Sequence, residues 1–157
     1  ASFFGALASS SVRCLDTFNA QDLVNTAWGF AKVGLLHEQL FTAVAQRFAA
    51  GRCLDELNAQ QISNVAWAFA KADQSDARLF TALARSAEER AADFGAPDLA
   101  SVAWAFANAG QLDARLFAAL ATAAEGFLDE FNEEELDNTE WAFDRAGQRA
   151  VLREAGG

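Results

Sequence analysis

The chain has 157 residues, 52% of them hydrophobic, with one Pro, one His and no Met. That length and apolar content suit a single domain with a continuous core and exclude a disordered chain; no run approaches the roughly 18 consecutive apolar residues that crossing a bilayer requires. Net charge is −10, unevenly placed: residues 1–93 carry eight cations against ten carboxylates, residues 94–157 four against twelve, a balance that repels phosphate and favours basic partners. Without a Met or a basic, Ser-rich presequence, the chain reads as a processed product or a piece of a longer one.

From the start, Phe3-Phe4-Gly-Ala-Leu7-Ala matches Leu79-Phe80-Thr-Ala-Leu83-Ala, so residues 1–17 are expected to be the second helix of a repeat whose first helix is absent. Asn19 then stands as an N-cap, with Asp22 three positions on as in a capping box and Phe18 and Leu23 at the spacing of a hydrophobic staple. Gly34 is the expected stop. The same set returns with Leu57, Asn58, Gln61 and Ile62, with Phe94, Gly95, Asp98 and Leu99, and with Phe131, Asn132, Glu135 and Leu136; Asp73, Gly110 and Gly147 stand at the corresponding ends. Pro97 falls in a first turn, where it is tolerated. Trp28, Trp67, Trp104 and Trp141 keep the register at intervals of 39, 37 and 37 residues, within the range of helical solenoid repeats. The two extra residues of the first interval fall near Gly51 and Arg52.

A second helix follows in each unit. Asp76 or Asp113 introduces it, Leu40/Phe41, Leu79/Phe80 and Leu116/Phe117 lead its apolar stripe, and Val44, Leu83 and Leu120 follow one turn later. "QRAVLREAGG" at 148–157 reads as one more such helix beginning. The expected fold is an all-α solenoid of stacked antiparallel helix pairs: residues 1–17 a truncated unit, 18–56, 57–93 and 94–130 three full repeats, and 131–157 a partial fourth. Neither end shows the polar cap of a finished stack, so a longer parent array is expected.

At about 100° per residue, Leu23, Ala27, Phe30 and Ala31 form the buried face of the first helix, with Asp22, Asn25, Gly29 and Lys32 opposite and Trp28 on the shoulder. A lone helix pair cannot bury these large side chains, so neighbouring repeats must. The Trp column reads as inter-repeat packing or as a stacking platform for bases; its shoulder position points to packing. Asn25, Asn64, Ser101 and Asn138 recur on the polar face although Asn and Ser are only fair mid-helix residues. Two readings stay open for them: inter-repeat hydrogen bonds, or an inner surface that holds an extended ligand one unit per repeat. Val24, Ser63, Ala100 and Asp137 share the most variable position, as unit-by-unit specificity residues would. Lys32, Lys71 and Arg145, interrupted by Asn108, place cations where phosphates could be met, or where the helix dipole alone favours them.

Cys14 in "RCLDTFN" and Cys53 in "RCLDELN" occupy one position in successive repeats. Packed helices lie about 8–10 Å apart, beyond disulfide reach, so buried free thiols are expected. With His37 the single His, the ligands of a zinc site are lacking. No nucleophile arrangement surrounds His37, and the acids recur with the repeat instead of converging on a cleft. The expectation is a non-enzymatic protein without cofactor or metal.

"FNAQDLVNTAWGFAK…EQLFTAVA" and its copies resemble the octatricopeptide and heptatricopeptide repeats of organellar RNA-binding proteins in algae and related protists, over nearly the whole chain. The Pro-Pro-Pro-Glu-Trp signature of many octatricopeptide units is replaced here by "SDARLF" and "LDARLF". The resemblance implies binding of single-stranded RNA in chloroplast or mitochondrion, in transcript maturation, stability or translation. On that reading Asn25, Asn64, Ser101 and Asn138 contact bases or sugars, and Lys32, Lys71 and Arg145 contact phosphates. The alternative is a protein-binding scaffold or accessory subunit of a large organellar complex. Armadillo-type solenoids hold extended peptides with an Asn and Trp ladder, and Asn25/Trp28 with its copies is similar at a different spacing.

Overall fold

The computed structural model describes residues 3–50 and 52–148. Eight helices follow one another: α1 (Phe3–Cys14), α2 (Ala20–Lys32), α3 (Glu38–Ala50), α4 (Ala59–Lys71), α5 (Ala77–Glu89), α6 (Ala96–Asn108), α7 (Ala114–Ala124) and α8 (Glu133–Arg145). No strand occurs among the described residues. The even-numbered helices are the first, or A, helices of the units; the odd-numbered ones are the second, or B, helices. The segment 149–157, where a further B helix is expected, lies outside the described residues.

Local chemistry sets the helix ends. Asn19, Asn58 and Asn132 each accept a hydrogen bond at 2.8 Å from the backbone N–H three residues on, and Asp22, Gln61 and Glu135 each accept one back from the cap's own N–H. Two orphan donors are thus satisfied at each start. Gly95 begins α6 without a side-chain cap. The stops use the left-handed region, with φ of 72°, 70° and 71° at Gly34, Gly110 and Gly147 and 56° at Asp73. The N–H after each donates five residues back, as from Gln74 to the Phe69 carbonyl at 2.9 Å, closing the helix in a Schellman turn. Asp76 and Asp113 cap α5 and α7. In α3 the task falls to His37, whose Nδ1 accepts from Leu40 N–H at 3.2 Å. A short 3₁₀ turn links each B helix to the next A helix, an element that the periodicity does not announce.

Each A helix packs on the A helix of the next unit, α2 on α4, α4 on α6 and α6 on α8, and their main chains approach more closely than those of successive B helices. Small side chains permit this: Ala27, Ala66, Ala103, Ala31, Ala70 and Ala107 are all buried. Closer spacing in one layer than the other bends the stack toward the A side. B helices are tied to the following A helix by Phe pairs, Phe41–Phe69, Phe80–Phe106 and Phe117–Phe143, with centroids 5.1–5.3 Å apart and planes near perpendicular. Such edge-to-face pairs add about 0.5–1.5 kcal/mol to their area burial.

α8 changes the pattern on one side only. Its backward face, toward α6, keeps buried Thr139, Ala142 and Phe143. Its forward face, which would meet a next A helix, carries Glu133, Asp137, Glu140 and Asp144 where α4 has Ala59, Ser63, Ala66 and Ala70. All four acids are exposed. The forward face of α8 is thus polar, unlike the small, largely apolar forward faces of α2, α4 and α6. The thiols are placed differently from expectation, since Cys14 is free and exposed and Cys53 free and half-buried.

Candidate functional site

A column of side chains at intervals of three and four residues runs across the outer face of the A layer: Asn25, Trp28 and Lys32 on α2; Asn64, Trp67 and Lys71 on α4; Ser101, Trp104 and Asn108 on α6; Asn138, Trp141 and Arg145 on α8. Helical spacing sets these three rows on one face in every unit, and A-on-A stacking carries each row on into the next. Between α4, α6 and α8 they line a groove of about 430 Å³, with Trp67, Lys71, Ser101, Trp104 and Asn138 on its walls, Ala100 on its floor, and Pro97, Asn132, Glu134 and Glu135 along the helix starts.

The amide row is free for a ligand. Asn25 is exposed; Asn64, Ser101 and Asn138 are half-buried. Among the described residues none of the four side chains forms a hydrogen bond, and none is sealed from solvent. The inter-repeat bonds that could have explained their recurrence come from neighbouring positions instead: Asn108 donates to the Ala70 carbonyl at 3.4 Å and Ser63 to the Asp98 carbonyl at 3.4 Å.

The indole row is half open. Trp28 is 39% and Trp141 42% exposed, and Trp67 and Trp104 are half-buried against the core. The sequence pointed to packing for this row; Trp67 and Trp104 both pack on the core and line the groove. Lys32 Nζ lies 5.6 Å from the Trp28 centroid and 5.9 Å from that of Trp67 in the next unit, and the Arg145 guanidinium lies 5.1 Å from Trp141. Cation–π contacts of this kind are worth about 0.5–1 kcal/mol where exposed. They place a cation over the Trp28, Trp67 and Trp141 rings.

In the variable column Val24, Ser63 and Ala100 are 2%, 2% and 3% exposed, lying under the next A helix, and of these Ala100 reaches the groove floor. They vary within the limits of a small-residue contact. Asp137 alone is exposed, because no further A helix follows α8 among the described residues. Lys32, Lys71 and Arg145 are exposed, and Lys71 lines the groove. Asp98, at the start of α6, has its carboxyl raised above the usual 3.8 by burial. No group of three or more His, Cys, Asp or Glu side chains that could hold a metal occurs among the described residues, and no helix there is long and apolar enough to cross a membrane.

Residues 2–76 match the family model described as RNA-editing substrate-binding complex 6 protein. The match takes in α1 to α4, just under half of the chain, with Asn25, Trp28, Lys32, Asn64, Trp67 and Lys71. It is a similarity to a family named for RNA editing and not an octatricopeptide assignment. None of the curated proteins matches the chain.

Proposed function

We propose that the chain is a non-enzymatic α-solenoid module that binds single-stranded RNA along the A-helix face, as part of an RNA-processing assembly. The observation that carries this reading is the row of hydrogen-bonding side chains without protein partners, Asn25, Asn64, Ser101 and Asn138, running beside half-exposed indoles and edged by Lys32, Lys71 and Arg145. Single-stranded RNA is recognised through stacking on aromatic rings and hydrogen bonds to base edges and sugars, with backbone charge neutralised by Lys and Arg. Each unit offers one indole, one amide or hydroxyl and, in three of four, one cation. A base entering between Trp28 and Trp67 would displace the Lys32 ammonium toward the adjoining phosphate. The description of the matched family supports an RNA-related role, and the resemblance to organellar repeats supports an organellar setting, mitochondrion or chloroplast.

A second reading, a protein-binding scaffold or accessory subunit, is favoured by one observation. Glu133, Asp137, Glu140 and Asp144 make the α8 end of the same layer strongly acidic, which suits a basic peptide better than RNA.

Titration of a labelled single-stranded RNA at rising salt separates the two. RNA binding weakens steeply with salt, at a slope of about −0.7 per phosphate contact. Lys32→Glu with Lys71→Glu is expected to lower affinity and flatten that slope. If no RNA binds at low salt, or the double variant binds as the parent does, the scaffold reading replaces it.

A further inference from the structure

Along each A helix one more row lies on the groove face. Four residues ahead of Asn25, Asn64, Ser101 and Asn138, and so one turn nearer the helix start, stand Gln21, Gln60, Pro97 and Glu134. All four are exposed. Gln60 and Pro97 stay exposed although an A helix follows theirs, so the row is open along the stack where Val24, Ser63 and Ala100 are covered. Pro97 and Glu134 line the groove beside Ser101 and Asn138. The chemistry of this row changes more from unit to unit than that of the amide, indole or cation rows: two amides, a ring that offers no hydrogen bond, and a carboxylate.

The carboxylate is free. Two acids stand on this wall of the groove, but Glu135 accepts the Asn132 N–H at 3.1 Å as part of the α8 cap, whereas Glu134 forms no hydrogen bond or ion pair among the described residues. It also stands clear of the cation row. Eleven residues separate it from Arg145, about 16 Å at 1.5 Å per residue and roughly two Debye lengths at physiological salt, so it does not cancel that cation's pull on a phosphate.

An ionised carboxylate only accepts hydrogen bonds, whereas the Asn138 amide one turn on and the Ser101 hydroxyl on α6 donate or accept. A base edge that meets Glu134 must therefore bring N–H groups. Cytosine and adenine each present an amino group, and guanine an amino group beside a ring N–H. Uracil has one N–H, set between two carbonyl oxygens that a carboxylate repels.

We propose that Gln21, Gln60, Pro97 and Glu134 set base preference along the groove, and that Glu134 selects a base with an exocyclic amino group over uracil. Pro97 leaves its unit without a hydrogen-bonding side chain in this row, so preference there falls to Ser101 alone. This selection presupposes the RNA binding proposed above and adds the base chemistry to it.

The test measures, by fluorescence anisotropy, the affinity of the whole chain for decauridylate and for the same oligomer with its fifth base changed to cytosine. One cytosine in a uridine run can slide to the discriminating unit, so the register need not be known. The cytosine oligomer is expected to bind at least about fivefold more tightly, the lower end of what one specific base contact discriminates. Glu134→Gln, whose amide meets uracil as well as cytosine, should erase the preference by raising affinity for decauridylate. Glu133→Gln makes the same change of charge on the forward face of α8 and should keep it. Equal affinity of the parent for the two oligomers overturns the selection while RNA binding stands. So does a preference that survives Glu134→Gln, or one that Glu133→Gln also removes, since net charge would then be its cause. If neither oligomer binds at low salt, the RNA reading itself fails and this selection falls with it.

Discussion

Phe80 of α5 and Phe106 of α6 meet edge to face, ring centroids 5.1 Å apart and planes at 81°. The pair crosses from the B helix of one unit to the A helix of the next, and both rings are buried, at 1% and 0% exposure. Stability in a stacked array is a sum of unit and interface terms, so this contact belongs to the interface term. Phe106→Ala is expected to cost about 3–5 kcal/mol and to uncouple the two halves of the chain. Urea unfolding followed by circular dichroism should then show two transitions or a lowered m-value; a single transition of unchanged slope would mean that the pair does not carry inter-repeat coupling.

Ala103 of α6 and Glu140 of α8 occupy the same column of their helices, and the neighbour ahead makes the difference. Ala103 is fully buried against α8, while Glu140 is exposed. Ala103→Glu should destabilise by roughly 3 kcal/mol or more, because a carboxylate is buried unpaired and a small contact is overpacked. Glu140→Ala should change stability by no more than about 0.5 kcal/mol. Equal effects of the two, measured by thermal denaturation, would remove the distinction between the covered column of α6 and the exposed one of α8.

Much of the fold was legible because its signals are local. Asn19 and Asp22 are three residues apart, as are the partners of the Asn58 and Asn132 caps, and the left-handed stops at Gly34, Gly110 and Gly147 follow from glycine alone. The column of Val24, Ser63 and Ala100 was not legible in this way. A helical wheel gives one buried and one exposed face, whereas an interior A helix is covered by its B helix and by A helices on both sides, so a position beside the polar face is still buried. The acids of α8 were visible as bulk charge, but their meaning lies in the column each occupies against Ala59, Ser63, Ala66 and Ala70. His37 lacked a counterpart by residue type, yet it does the capping work of Asp76 and Asp113. For the candidate site, the spacing put Asn25, Trp28 and Lys32 on neighbouring rows; the open edge of each indole depends on how far the next unit reaches over it.

Asp98 provides a pH test. Burial raises its carboxyl above 3.8 in the folded chain, so as pH rises the unfolded chain ionises first, and between the two pKa values the folded state holds more protons. Stability from this group therefore falls with rising pH through that window, which starts near 3.8 and extends upward, and is constant beyond the folded-state pKa. Asp98→Asn removes the penalty. The difference in Tm between variant and parent should move in the variant's favour from pH 3 to pH 7; a difference that is flat or moves the other way would contradict a raised carboxyl.

Asn64 combines a helix-weakening residue with a side chain that bonds to nothing among the described residues. Ala is a better helix former than Asn by about 0.5 kcal/mol, so Asn64→Ala should leave the fold as stable as before or slightly more so. Under the RNA reading the same change removes one hydrogen-bonding contact to a base or sugar, so affinity should fall several-fold, at about 0.5–1.5 kcal/mol per neutral hydrogen bond. Trp67→Ala should cost about 1–3 kcal/mol of binding if a base stacks there, although its packed half makes stability fall as well. Asn64→Ala is thus the cleaner probe, because its two readouts are expected to move in opposite directions. A variant that is more stable and binds RNA as tightly as the parent would leave the amide row without a role in RNA recognition. Loss of stability in Asn64→Ala would instead reveal a structural partner for the amide.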